Sequence, residues 1–184
     1  MSRHVALLRG INVGGSGVIR MEELRAIFAK AGAEEVSTYI ASGNVLFSAS
    51  ARDLPGIRTR AQSALAKRLG PAAATVYRTA AELIATAERD PVRGIPAGAD
   101  VRRHVLFLDA APAKRPRLPL FDEDEACELI ALHGRDAFVV GHRKQKGLYY
   151  GFPNNWVERG LGVTSTTRGW NTVEKLAALL RGPS

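Results

Sequence analysis

The sequence predicts an α+β fold of two similar ferredoxin-like units, each a split β-α-β, packed into one compact body. Three observations predict it. The elements from Val5 to Tyr77 read in the order β-α-β-β-α-β. Arg3-His4-Val5-Ala6-Leu7-Leu8 near the start of the chain returns as Arg103-His104-Val105-Leu106-Phe107-Leu108. A stretch rich in proline and glycine, Pro91 to Ala99, separates the halves. The expected units are residues 1–90 and 100–184, with 91–99 as the linker.

Each element has its own signal. Val5 to Leu8 is a short apolar run, expected to form a central strand. Met21, Leu24, Ile27, Phe28 and Ala31 recur at helical spacing, and Gly32 supplies a C-terminal stop. Val36, Thr38 and Ile40 alternate with Ser37 and Tyr39. Val45-Leu46-Phe47 follow Ser42-Gly43-Asn44, so a hairpin is expected. Asp53 is placed to cap a helix carrying Ile57, Ala61, Leu65 and Leu69, which Gly70-Pro71 ends. Thr75 to Tyr77 reads as a short strand. Thr79 and Glu82 have capping-box spacing ahead of Leu83, Ile84 and Ala87.

In the second half, the strand ending at Leu108 meets Asp109 and a proline-rich loop, without a glycine cluster. Asp122 to Glu125 reads as a solvated helix start. Glu128 to Leu132, Ala137 to Val140 and Leu148 to Phe152 read as strands of a meander. A short helix is expected over Asn154 to Arg159. The last helix is expected near Asn171, capped by Asn171 with Glu174, and carries Val173, Leu176, Ala177 and Leu180.

Composition bounds the function. The chain has 184 residues, 46% of them hydrophobic, enough for a core. No apolar run approaches the roughly 20 residues that span a bilayer. The N-terminus lacks the pattern of a signal peptide, so a cytoplasmic protein is expected. The single cysteine, Cys127, excludes an internal disulfide and a multi-cysteine zinc site. It sits among apolar residues, where a thiol packs. The net charge of +8 is spread over both halves and favours polyanionic partners. His4, His104, His133 and His142 are too scattered for metal-ligand spacing. No metal, cofactor or catalytic residue is assigned.

The densest motif is Arg9-Gly10-Ile11-Asn12-Val13-Gly14-Gly15-Ser16-Gly17, between a strand and a helix. It is not a P-loop, because Ser16 stands where lysine belongs and Gly17 where the magnesium-binding hydroxyl belongs. It reads either as a turn or as an anion corner made of Arg9, Asn12 and the amides of Gly14 and Gly15. Ser42 and Asn44 at the hairpin tip read as turn chemistry or as polar contacts beside that corner. Near the C-terminus, Thr167, Arg168 and Asn171 combine a hydroxyl, a guanidinium and an amide ahead of a helix. The leading expectation joins this segment to the glycine loop around one small anion, carboxylate- or phosphate-bearing. A second reading is nonspecific nucleic-acid binding by Lys114, Arg115 and Arg117 with Arg143, Lys144 and Lys146, near Tyr149 and Tyr150. A third is an enzyme of unassigned reaction on the same polar loops.

Leu7-Leu8-Arg9-Gly10-Ile11-Asn12-Val13-Gly14-Gly15 resembles the opening of an uncharacterised bacterial family, domain of unknown function 1697. Thr38-Tyr39-Ile40-Ala41-Ser42-Gly43-Asn44-Val45, Glu158-Arg159-Gly160-Leu161-Gly162-Val163 and Thr166-Thr167-Arg168-Gly169-Trp170-Asn171-Thr172-Val173 extend the likeness over nearly the whole chain. The resemblance implies two similar, intertwined ferredoxin-like units and no established activity. Two departures stand out. Gly169 replaces an asparagine of the closing motif, and Gly151-Phe152-Pro153 stands where many members carry Ser-Lys-Leu.

Overall fold

The computed structural model describes residues 1–12, 17–71, 73–95, 98, 100–122, 126–143 and 153–182. Among them the chain forms two antiparallel sheets and five helices, a mixed α+β arrangement. It divides into two units, Met1–Ile84 with Leu176–Ser184, and Ala85–Lys175. Residues 91–99 fall inside the second unit.

The first unit runs β1 (Ser2–Leu8), α1 (Met21–Lys30), β2 (Glu34–Tyr39), β3 (Asn44–Ala49), α2 (Leu54–Leu69), β4 (Thr75–Thr79) and the start of α3 (Ala80–Arg89). Its sheet has the order β2-β3-β1-β4. His4 to Leu8 are all buried, as a central strand requires. Strand alternation sends Ala6 and Leu8 to one face. There they meet Val45 and Phe47 of β3, Leu24 and Phe28 of α1, and Ile57, Ala61 and Leu65 of α2. Arg60 fastens the two helices by donating from Nε and Nη2 to the Ala31 carbonyl at the end of α1. The hairpin forms as expected. Gly43 closes it at φ +77, and a Cβ there would stand 2.7 Å from Ile11 and 2.8 Å from Leu8. Asp53 differs from its expected role. Its carboxylate accepts from Ser50 Oγ at 2.6 Å, and it makes no side-chain cap bond to α2.

The second unit continues with β5 (Val101–Leu108), β6 (Leu120–Asp122), β7 (Cys127–His133), β8 (Asp136–His142), α4 (Pro153–Leu161), β9 (Ser165–Gly169) and the start of α5 (Trp170–Arg181). Its sheet has the order β6-β7-β8-β5-β9. Leu106, Leu108, Cys127, Leu129, Leu132, Ala137 and Val139 form the core with Val157 and Leu161 of α4. Asp122 ends a strand where a helix start was expected, because Phe121 and Asp122 pair with Glu128 and Cys127. Residues 123–125 and the expected strand Leu148 to Phe152 lie outside the described residues. The last helix starts at Trp170, which is 3% exposed. Asn171 is therefore inside the first turn and not at the cap.

The units repeat one pairing register. His4, Val5, Ala6, Leu7 and Leu8 face Thr79, Arg78, Tyr77, Val76 and Thr75. His104, Val105, Leu106, Phe107 and Leu108 face Gly169, Arg168, Thr167, Thr166 and Ser165. In each unit a helix follows the edge strand at the next residue, Ala80 after Thr79 and Trp170 after Gly169. Between the first two corresponding strands, α1 of the first unit is replaced by residues 109–119 and the short β6.

Candidate functional site

The glycine corner is held by Asn12. Its Nδ2 donates to the carbonyls of Ile19 at 3.1 Å and Ala41 at 2.8 Å, and its Oδ1 accepts the Ile19 N–H at 3.0 Å. Asn12 has φ +55, a left-handed conformation that asparagine tolerates better than most residues. One amide thus joins both ends of the loop to the hairpin. Arg9 beside it is half-buried, and its N–H donates to the Ala74 carbonyl. Gly14 and Gly15 lie outside the described residues. At the hairpin tip Asn44 is fully buried and donates to the Tyr39 carbonyl and to Ser42 Oγ, both at 3.0 Å. Replacing Asn12 by alanine removes three side-chain hydrogen bonds and is expected to cost about 1–3 kcal/mol. Urea unfolding checks this, and a loss of only a few tenths would show that the loop closes without the amide.

In the second unit the polar residues of β9 divide by face. Thr167 Oγ1 donates to Asn154 Oδ1 at 2.6 Å, and Asn154 Nδ2 donates to Ser165 Oγ at 3.1 Å. Glu158 accepts the N–H and the hydroxyl of Ser165, at 2.6 and 3.0 Å. These bonds fix α4 on β9. Arg168 points to the other face. It is 6% exposed, and its Nη1 donates to Thr166 Oγ1 and the Thr167 carbonyl, each at 2.8 Å. Burial lowers its pKa to about 10. Arg78 holds the matching place in β4. It is 1% exposed and likewise donates to the carbonyl before it, that of Tyr77, at 3.0 Å. Sequence reasoning missed Arg78. The parallel between Thr75-Val76-Tyr77-Arg78-Thr79 and Ser165-Thr166-Thr167-Arg168-Gly169 was its signal.

A cleft of about 140 Å³ opens where β5 begins and α5 starts, lined by residues 101–104 and 169–172. Asn171 brings one expected site residue to it. Arg103 and His104 bring two groups that sequence reasoning read only as part of a repeat, and Arg102 brings one that it passed over. Gly169 faces His104 across the strands, and among the described residues a Cβ on Gly169 would meet nothing within 4 Å. Arg103 Nε and His104 Nδ1 are buried without a hydrogen-bond partner among the described residues. Burial, with Arg102 second, lowers the His104 pKa to about 4, so the ring is neutral at pH 7. A more open hollow by Asn155, Arg159 and residues 162–164 also includes Glu158, already engaged with Ser165.

The basic residues are distributed differently. Lys114, Arg115 and Arg117 are exposed. Arg143 pairs with Asp100 at 3.3 Å, while Lys144, Lys146, Tyr149 and Tyr150 lie outside the described residues. Among the described residues no cluster of His, Cys, Asp and Glu has the makings of a metal site, and no helix is long and apolar enough to cross a membrane.

Comparison with known proteins adds a family and a fold. The model of a family described as "Protein of unknown function (DUF1697)" matches residues 1–138. No curated protein matches the chain. The solved structure of the conserved bacterial protein SP0830 from Streptococcus pneumoniae is similar over 97% of this chain and 98% of its own. The TM-score is 0.65 at 21% sequence identity, a likeness of fold alone.

Proposed function

The chain belongs to the family of proteins of unknown function DUF1697, and from that premise we propose that it binds a small anionic ligand, phosphate- or carboxylate-bearing. The site is the cleft at the start of α5. One observation carries the proposal: Arg102 and Arg103 line a concavity that the N-terminal turn of a twelve-residue helix also lines. Helix N–H groups and the helix dipole favour negative charge at that end. A guanidinium adds a two-pronged donor suited to oxyanions.

The other expected site residues take supporting parts in this proposal. Thr167 and Arg168 set the course of β9, from which α5 departs. Arg9, with the amides of Gly14 and Gly15, is kept in this proposal as an anion contact of the first unit, where Asn12 bonds to Ala41 of the hairpin and Asn44 to Ser42. We read both units as ferredoxin-like, because β2-β3-β1-β4 and β7-β8-β5-β9 are one strand permutation. The single buried cysteine suits a reducing, cytoplasmic setting.

Titration with inorganic phosphate and glutarate at low ionic strength, followed by amide NMR, tests the reading. Saturable shifts are expected at residues 101–104 and 169–172, with at least tenfold weaker binding when Arg102 and Arg103 both become glutamine. Absence of shifts there with either anion overturns it. Retention of single-stranded DNA that survives the double change and falls steeply with salt would favour the exposed Lys114, Arg115 and Arg117 instead.

A further inference from the structure

Resting on the anion reading above, we infer that the ligand group at the α5 cleft is a carboxylate, seated where the first unit carries the side chain of its own Glu82. The repeat of register makes the comparison residue by residue. In the first unit Glu82 Oε2 accepts the Thr79 N–H at 2.8 Å and the Thr79 hydroxyl at 3.2 Å. Thr79 Oγ1 in turn accepts the Glu82 N–H at 3.1 Å. This capping box closes the corner between β4 and α3 with an intramolecular carboxylate.

The second unit has the same corner without the box. Gly169 faces His104 as Thr79 faces His4. Three residues after Gly169 stands Thr172, where the first unit has Glu82. Both side chains of the box are gone, and the cleft of about 140 Å³ opens at that corner. Arginine use differs as well. Arg3 of the first unit donates from Nη1 to the carbonyls of Leu179 and Leu180. Arg103, its counterpart, lines the cleft with a buried Nε that has no partner among the described residues. His104 presents a buried Nδ1 in the same condition, a feature it shares with both ring nitrogens of His4.

The chemistry selects the anion. One guanidinium fork matches the two oxygens of a carboxylate. The neutral ring of His104 adds a hydrogen-bonding nitrogen, and a carboxylate is the group that Glu82 supplies at the corresponding corner of the first unit. The two histidines differ in the charges around them. Glu82 works to raise the pKa of His4 against burial and Arg58, whereas burial and Arg102 both lower that of His104.

Acetate and inorganic phosphate are the probes, titrated at constant ionic strength into the wild type, Thr172→Glu and Arg103→Gln. Acetate is expected to shift the amides of residues 169–172 and to raise the His104 pKa measured by NMR. Arg103→Gln should weaken acetate at least tenfold. Thr172→Glu supplies the missing carboxylate, so it should melt at a higher temperature and no longer bind acetate. Wild-type acetate affinity in a folded Thr172→Glu protein overturns the placement. Phosphate shifting these amides while acetate does not overturns the carboxylate assignment and leaves the anion reading standing. If neither probe shifts them, both fall.

Discussion

Replacing Arg168 by methionine is expected to leave the folding free energy within about 1 kcal/mol of wild type, whereas alanine costs about 3 kcal/mol. Arg168 is 6% exposed, and burial alone accounts for its lowered pKa of about 10. The protein therefore bears a desolvation cost to keep this charge inside. Methionine fills much of the same volume without that cost. It leaves Thr166 Oγ1 and the Thr167 carbonyl each short of one donor, which offsets part of the gain. Alanine loses the same donor and opens a cavity as well. Urea unfolding of both variants at pH 7 decides the point. A methionine variant as unstable as the alanine one would mean that the charge itself holds the fold. The same pair separates structure from ligand binding. If Arg168 holds an anion, methionine removes affinity and spares stability. If it only shapes β9, methionine spares both.

How far these features were legible in the sequence depends on what each residue signals. Strands were legible because apolar runs and period-two alternation respond directly to burial, as in Val5 to Leu8 and Ala137 to Val140. The capping box of Thr79 and Glu82 was legible because both partners are near in the chain. Asp53 misled because Ser50, also three residues away, competes for its carboxylate. Asp122 misled because acidic residues begin helices more often than they end edge strands. Asn12 stood out among the glycines, but its amide reaches Ala41, a contact that only the folded hairpin creates. Arg78 was invisible because charge is ordinarily a sign of exposure. Arg103 and His104 were noticed as half of a repeat. Their cleft emerged only when Gly169 and Thr172 proved to occupy the places of Thr79 and Glu82.

Acid should weaken the fold by about 3 kcal/mol between pH 7 and pH 4 through His104 alone. Its folded pKa is about 4, because burial and Arg102 oppose the charged ring, against 6.5 for an unperturbed histidine. Between those values the unfolded chain binds the proton and the folded chain does not. Stability is therefore whole above the unfolded value and falls as pH drops toward the folded one, below which this group adds no further loss. His4 acts in the same direction, since burial and Arg58 lower its pKa while Glu82 opposes them. Urea unfolding of wild type and His104→Gln at pH 7 and pH 4, in a buffer without carboxylates, isolates the first contribution. The variant should lose about 3 kcal/mol less than wild type over that interval. Parallel losses would mean that His104 titrates normally in the folded protein. Acetate links this titration to the cleft. An anion beside His104 raises its folded pKa, so acetate, which is ionised above about pH 5, should move the NMR titration of His104 upward from about 4.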